Sequence, residues 1–250
     1  MFRPTIEINR GSSMSGVHLV RKLGSFQPLS DDNEKAIMAL ARRRTRTFKA
    51  RNDLISEGDE PQTVYLILNG WACRYKTLED GRRQILAFFL PGDLCDLHVY
   101  ILDAMDHSIG SLTSVEYASI TPKELDRLSD DHPRVMRSLW WESLVSAAVQ
   151  REWLVSAGQR SAYEALAHLC CELYFRMKLV GLATTEGCAF PLTQGDIADA
   201  LGLTQPHVSR TIAELNGSGL ATLKKRYLTV ENLKGLMAAA HFNPNYSHNR

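Results

Sequence analysis

Residues 192–220, LTQGDIADALGLTQPHVSRTIAELNGSGL, are the stretch that most constrains how this chain folds. Thr193 precedes Asp196 by three residues, a spacing typical of a capping box that opens a helix. Gly202 then permits a sharp turn, and Thr204 can cap a second helix. The second helix has a core-facing stripe at the spacing i, i+4, i+7, formed by Val208, Ile212 and Leu215. Together these features predict a helix-turn-helix.

The polar side chains outside that stripe predict a nucleic-acid surface. In a helix-turn-helix, the second helix enters the major groove of DNA with its N-terminal residues on base edges. The residues left facing outward are Gln205, Pro206, His207, Ser209 and Arg210. The following residues, GLATLKKRYLTV, indicate a β-hairpin with a basic tip, called a wing. Because residues 181–250 are nearly neutral, binding to double-stranded DNA must depend on where the charges lie.

Composition describes an ordinary globular chain. The protein has 250 residues, 44% of them hydrophobic, and a formal net charge of +1. No apolar run approaches the roughly 20 residues of a membrane span, and the N-terminus lacks the apolar segment of a secretion signal. The five cysteines form no disulfide-framework pattern. We therefore expect a cytoplasmic protein without a membrane partner, with a loose tail at residues 1–20 and a start at either Met1 or Met14.

The first half of the chain is β-rich between residues 54 and 128. Short apolar runs alternate there with glycine-containing turns, a pattern typical of a small barrel or jelly roll. Ahead of it, residues 31–46 are predicted to be helical. The predicted strands are 64–70, 71–76, 83–90 and 116–121.

These segments, in this order, carry a resemblance to a known family. LISEGDEPQTVYLILNGWACRY, then RRQILAFFLPGDL, then the helix-turn-helix and wing, resemble the Crp/Fnr family of bacterial transcription regulators over about residues 25–237. The resemblance implies an α+β fold with an N-terminal β-roll (jelly-roll) domain, a long dimerisation helix and a C-terminal winged helix-turn-helix. It implies a homodimer on a palindromic site and contact with RNA polymerase. The expected division is a tail at 1–20, a β-roll sensor domain at 21–128, the dimerisation helix and following helix at 129–180, a DNA-binding domain at 181–240 and a tail at 241–250.

The expected long helix follows Pro133, which suits the first turn of a helix. Alternating spacings of four and three residues give the register of a coiled-coil seam; the alternative is one helix packed on its own domain. Trp140 and Trp141 cannot both face one seam, so we expect one of them on the β-roll. Gly158 marks a hinge before a second helix at residues 161–180. The predicted seam consists of Trp140, Leu144, Ala147, Arg151 and Leu154.

The effector is not defined by the sequence. In cyclic-nucleotide-binding relatives, a Gly-Glu-Leu motif holds the ribose and a later Arg-Ser or Arg-Thr pair neutralises the cyclic phosphate. Here Asp96 and Leu97 stand at the first motif, and His107 and Ser108 stand at the second. A neutral histidine is a poor substitute for a permanent cation, which argues against cyclic AMP or cyclic GMP and leaves another small molecule open. These four residues are the candidate effector pocket.

No cofactor or metal is expected. Relatives that sense oxygen through an iron–sulfur cluster have cysteines near the N-terminus, whereas this chain has none before Cys73. His98 or His107 could ligate haem, but a lone histidine in a β-roll is more often structural. Cys170 and Cys171 could form a redox switch. Adjacent residues on a helix point about 100° apart, however, and buried apolar cysteines are common, so we favour structural thiols over a metal pair or a switch.

The resemblance also assigns roles within the DNA-binding surface. Arg210 aligns with an arginine that contacts guanine, and Ser209 matches Fnr-like members; Gln205 and His207 are further candidate readers. Pro206 stands where the family commonly has Glu, so the half-site should differ from those of well-known relatives. Contacts with DNA phosphates are expected from Thr193, Thr204, Lys224, Lys225 and Arg226.

Two competing functions have less support in the sequence. An enzyme would need a recognisable catalytic constellation, and the chain has no phosphate-binding loop, HExxH or nucleophile elbow. The second alternative is a β-roll module that acts through protein partners or a small-molecule ligand without direct DNA readout. The arginine run at residues 42–46 is open to two interpretations, a DNA or polymerase patch or, as we favour, a solvated helix end.

Overall fold

The computed structural model describes residues 16–97 and 99–247. His98, the candidate start Met14 and most of the predicted N-terminal tail lie outside the described residues. Two helices open the described chain, and eight short strands follow. The helices are α1 (Val17–Gly24) and α2 (Asp31–Arg42). The strands are β1 (Thr45–Phe48), β2 (Asp53–Ile55), β3 (Val64–Asn69), β4 (Ala72–Thr77), β5 (Arg83–Phe89), β6 (Leu94–Cys95), β7 (Ser108–Ser111) and β8 (Val115–Ile120).

The strands form two antiparallel sheets that face each other as a roll. Their orders are β1-β8-β3-β6 and β2-β7-β4-β5. Inward-facing side chains such as Leu66, Ile109 and Ala118 are fully or almost fully buried between them. The turn after β3 requires glycine, because Gly70 has a φ of 82° and a Cβ there would collide with the carbonyl oxygen of Ser114. The four predicted strands and the α+β fold class are confirmed.

The helix predicted over residues 31–46 is too long at its end. α2 stops at Arg42, Arg44 has a φ of 47°, and Thr45 begins β1 by pairing with Ala118 of β8. Pairing at the sheet edge therefore overrides the helical pattern of the arginine run. Within the arginine run at residues 42–46, only Arg42 belongs to the solvated helix end that we favoured. The other residues form a turn and the start of the exposed edge strand β1.

Two long helices connect the roll to the C-terminal region. They follow the short α3 (Pro122–Asp131), which the sequence did not predict. α4 (Pro133–Gln159) has 27 residues, and α5 (Ala162–Leu179) follows it. The predicted hinge at Gly158 is displaced, since Gly158 is helical and the chain leaves the helix at Arg160. Ser161 then opens α5, because its hydroxyl accepts a hydrogen bond from the Glu164 amide while Glu164 bonds back to the Ser161 amide.

The C-terminal region packs a small sheet against helices. Its elements are β9 (Gly187–Ala189), α6 (Gln194–Leu201), α7 (Gln205–Gly217), β10 (Ala221–Lys224), β11 (Tyr227–Val230) and α8 (Leu233–Ala239). Its apolar core is continuous with one side of the roll, where Trp71 lies near Phe88 and Phe190, with ring centroids 6.4 and 6.2 Å away. Among the described residues, no helix is both long enough and apolar enough to cross a membrane.

Candidate nucleic-acid interface

The first helix of the predicted motif begins with the expected capping box. The Asp196 amide donates to the Thr193 hydroxyl at 3.1 Å, and the Asp196 carboxylate accepts from the Thr193 amide at 2.8 Å. Gly202 ends α6 with a φ of 66°, and the Gly202 amide bonds to the carbonyl oxygen of Ala198. The glycine turn predicted by the sequence is therefore confirmed.

The second helix, α7, buries the predicted stripe. Val208 and Leu215 are fully buried, and Ile212 is partly buried against the same core. Thr204 stands at the N-cap position of α7, but its side chain makes no capping hydrogen bond, so that detail of the prediction is wrong. Pro206 lies in the first turn, where a backbone N–H has no acceptor within the helix. The N–H that proline lacks therefore costs no hydrogen bond.

The opposite side of α7 presents the five predicted base-reading residues together. Gln205, Pro206, Ser209 and Arg210 are exposed, and His207 is half-buried. This surface lies at the N-terminal half of the helix, which is the part that reaches base edges in a groove-binding helix.

The wing is present and is larger than the sequence indicated. β10 and β11 pair from Ala221 with Val230 to Lys224 with Tyr227, and β9 adds a third strand. The sequence missed β9 because three residues are too few to show an alternating pattern. Lys225 and Arg226 form the exposed two-residue turn, with φ values of 52° and 60°, as in a type I′ hairpin.

The residues predicted to contact phosphates lie on the wing and in the turns before α6 and α7. Lys224, Lys225 and Arg226 are exposed at the wing, and Thr204 is exposed before α7. Thr193 is half-buried, and its hydroxyl is already engaged with Asp196. A positive wing beside a groove-sized helix can hold two parts of a nucleic-acid backbone.

The predicted seam is one continuous exposed stripe along α4. All five of its residues are solvent-exposed. Three of them are large apolar side chains, whose burial against another surface would lower the free energy. The exposed fractions of those three are 57% for Trp140, 66% for Leu144 and 73% for Leu154.

Trp141, the neighbour of the seam tryptophan, is only 8% exposed. Its ring stacks on Phe26, with centroids 5.1 Å apart and an interplanar angle of 16°. One tryptophan is thus exposed and one packed, as expected, but the packing partner belongs to the segment after α1 rather than to the β-roll strands.

A cavity of about 540 Å³ lies between the roll and α4. Three of the four predicted pocket residues line it, namely Asp96, Leu97 and His107. Ser108 does not belong to its wall, because this buried side chain accepts a hydrogen bond from the Glu57 amide at 2.9 Å. Side chains of α4, including Ser143 and Ala147, form the opposite wall.

Arg74, the cation of this cavity, was not predicted from the sequence. Its guanidinium donates to the Asp96 carboxylate and lies 5.4 Å from the Phe89 ring centroid. Asp96 also bonds His107 Nε2 at 2.9 Å. Burial and then the nearby Arg74 charge lower the pKa of His107, although Asp106 opposes this. Asp96 therefore neutralises Arg74, and the His107 ring lies between two carboxylates, with Nδ1 2.6 Å from Asp106 and Nε2 on Asp96.

The thiols and acids of the described residues offer no metal centre. No group of three or more histidine, cysteine, aspartate or glutamate side chains within residues 16–97 and 99–247 could hold a metal ion. The cysteines are free and buried, and burial raises the pKa of Cys171 to about 12. Such thiols are protonated at neutral pH and unreactive.

Comparisons with known proteins match both halves of this architecture. Residues 45–132 match the family model of the cyclic nucleotide-binding domain, and residues 164–239 match that of the Crp-like helix-turn-helix domain. The chain is 33% identical to the nitrogen fixation regulation protein FixK of Bradyrhizobium diazoefficiens over 69% of this chain and 71% of that protein.

Two further comparisons cover more of the chain. The transcriptional activator protein FnrL of Cereibacter sphaeroides is 29% identical over 78% of this chain and 79% of that protein. The solved structure of FixK2 from Bradyrhizobium japonicum superposes with a TM-score of 0.69 and 26% identity, covering 78% of this chain and 96% of that one.

Proposed function

Because the chain belongs to the Crp/Fnr family of bacterial transcription regulators, we propose that it reads a palindromic duplex site as a homodimer. It is a DNA-binding regulator rather than an enzyme, as its relatives are. The observation that carries the proposal is the exposed N-terminal face of α7, next to an exposed basic wing.

Arg210 is the residue to which we assign base readout first. Its guanidinium is exposed on α7 and can donate two parallel hydrogen bonds to guanine O6 and N7. Gln205, His207 and Ser209 offer further polar groups on the same face. Pro206 has no carboxylate for cytosine and offers only an apolar contact, for example to a thymine methyl group.

The phosphates would be held on both sides of this reading face. Lys224, Lys225 and Arg226 approach one stretch of backbone from the wing, and Thr193 and Thr204 approach another from the turns before α6 and α7. Such contacts fix the register of the protein without reading sequence.

The exposed stripe on α4 supports the dimer. A twofold axis along this helix would bury the apolar side chains of both copies and place two α7 helices about one turn of DNA apart (~34 Å). The contact energies of two half-sites then add, which a single short helix cannot match. We also propose a division of the chain into a sensor at 21–128, a dimerisation region at 129–180 and a DNA-binding unit at 181–240. The tails expected at 1–20 and 241–250 are shorter, because α1 begins at Val17 and Phe242 is buried against Phe175.

The cavity beside Arg74 is where we propose that a small effector acts, with cyclic AMP disfavoured. A cyclic phosphate needs an available cation, whereas Arg74 is already paired with Asp96 and the His107 ring is already engaged by Asp96 and Asp106. We further propose a cytoplasmic location and RNA polymerase as a protein partner, on the strength of the family.

Selection of bound duplexes from a random pool tests this function. We expect a palindrome with a fixed spacing between half-sites and a guanine preference that Arg210→Ala removes at one symmetric position. Arg82→Ala, an exposed arginine in the turn between β4 and β5, is the matched control and should leave the selected sequence unchanged. A pool without enrichment would favour the alternative of a regulatory module without DNA readout.

A further inference from the structure

An arginine of the roll reaches across to the helix-turn-helix from a strained turn. Arg51 lies between β1 and β2 with a φ of 64°, a conformation that favours glycine or asparagine over arginine. Ser111 holds the turn in place. Its carbonyl oxygen accepts the Arg51 amide at 2.9 Å, and its hydroxyl donates to the carbonyl oxygen of Lys49 at 2.7 Å. Because these hydrogen bonds hold a strained backbone conformation at Arg51, its side chain is a candidate for a functional role.

The Arg51 side chain ends on the first helix of the DNA-binding motif. Its two terminal nitrogens donate to the two carboxylate oxygens of Asp196 at 2.5 and 2.8 Å, a bidentate pair. The Asp196 side chain is 2% exposed and also completes the capping box with Thr193. The start of α6 is therefore held by two sets of hydrogen bonds, one from Thr193 at its own N-terminus and one from Arg51 in the roll.

A second set of contacts holds the same side of α6 one turn further on. Arg83, at the beginning of β5, donates from Nε to Asp199 at 2.8 Å. The adjacent Gln84 amide group donates to the carbonyl oxygen of Ala200 at 3.1 Å. The Arg83 guanidinium lies over the Tyr75 ring, 5.1 Å from its centroid, which orients it on the roll.

We propose that Arg51 and Arg83 are positioning residues that fix the direction of α6, and with it the recognition helix α7, relative to the roll. α6 and α7 share a core through side chains such as Ile197 and Val208, so they move as one unit. The roll is joined to α4, which has the dimer seam. The two arginines therefore set the distance between the two recognition helices of a dimer, and hence the half-site spacing that the protein selects.

This inference depends on the proposed function, and its test uses the selected palindrome. Affinity is measured for duplexes with the selected spacing and for duplexes with half-sites one base pair closer or further apart. The wild type should prefer the selected spacing by roughly tenfold or more, a typical size for coupled sites. In Arg51→Gly, which relieves the backbone strain and removes the guanidinium, and in Arg83→Ala, the ratio should fall towards one. Affinity for a single half-site should stay unchanged.

Arg82→Ala is the control, since it removes a neighbouring arginine that contacts Asp80 rather than α6. An unchanged spacing ratio in both variants overturns the inference while the proposed function stands. If the wild type selects no duplex, the proposed function fails. Hydrogen exchange then still tests the contact, because the α6 amides should exchange faster in Arg51→Gly and Arg83→Ala than in Arg82→Ala. Equal exchange in all three would overturn it.

Discussion

Replacing Leu144 by Asp tests the dimer seam most directly. Leu144 lies in the middle of the exposed stripe on α4, and 66% of its surface is accessible in the single chain. Its side chain supports little of the monomer core, so the change should leave the fold intact and remove apolar area only from the contact between two copies.

The size of the effect follows from that accessible fraction. Burying a leucine side chain fully is worth roughly 1.5–3 kcal/mol, so two thirds of it is worth about 1–2 kcal/mol. A twofold interface contains the residue twice, which gives about 2–4 kcal/mol per dimer. The dimer dissociation constant should therefore rise by roughly 30-fold to 1000-fold. Two carboxylates facing each other across the axis add to this.

Sedimentation equilibrium measures the dissociation constant, and Leu78→Asp is the matched control. Leu78 is 54% exposed, but it follows β4 in the turn of the β4–β5 hairpin and does not belong to the predicted seam. Equal dissociation constants for the two variants would refute the seam. Thermal unfolding of both proteins shows whether either change affects the monomer itself.

Three further outcomes are expected. Arg210→Ala should weaken binding to the selected site by about 1–3 kcal/mol and relax one base position, as measured by titration of single-base variants. Replacing Lys225 by Asn and Arg226 by Gly should stabilise the type I′ turn, raising the melting temperature, while it weakens binding to all sequences and flattens the salt dependence. Burial and then the Arg160 charge lower the pKa of His168 to about 4, so the native state stays neutral where the unfolded state is protonated. For this reason the unfolding free energy should fall by about 2 kcal/mol between pH 7 and pH 5, as measured by urea titrations. The fall should be smaller in His168→Asn. In the control His241→Asn, at an exposed histidine, the fall should equal that of the wild type.

Local patterns in the sequence were sufficient for most elements of the fold. The capping box at Thr193, the turn at Gly202 and the stripe on α7 depend on neighbours within one or two helical turns, and the structure has each of them. The stripe on α4 was equally predictable, because apolar residues at heptad spacing are typical of a seam between two helices. Where the sequence failed, as at the end of α2, pairing with the distant strand β8 decided the conformation.

The candidate site was harder to predict, because its important contacts join distant parts of the chain. Arg51 and Asp196 are 145 residues apart, and nothing near either one indicates the other. Arg74 stands in β4, whose sequence ACRYKT gives no sign that a carboxylate in the turn after β6 meets its guanidinium. Sequence spacing predicted which side of α7 is exposed, but it gave no sign of the contacts that Arg51 and Arg83 make with α6.

The arrangement around Arg74 constrains what an effector must do. A cyclic phosphate entering the cavity would have to displace Asp96 from the guanidinium or lie beside that carboxylate. Displacement leaves a partly buried negative charge without its partner, and coexistence places two anions on one cation. Either outcome costs binding energy that an uncharged ligand does not lose, because such a ligand can fill the space against Leu97 and α4 while the pair stays closed. The charge pattern of this cavity therefore favours a neutral or weakly polar effector over a nucleotide.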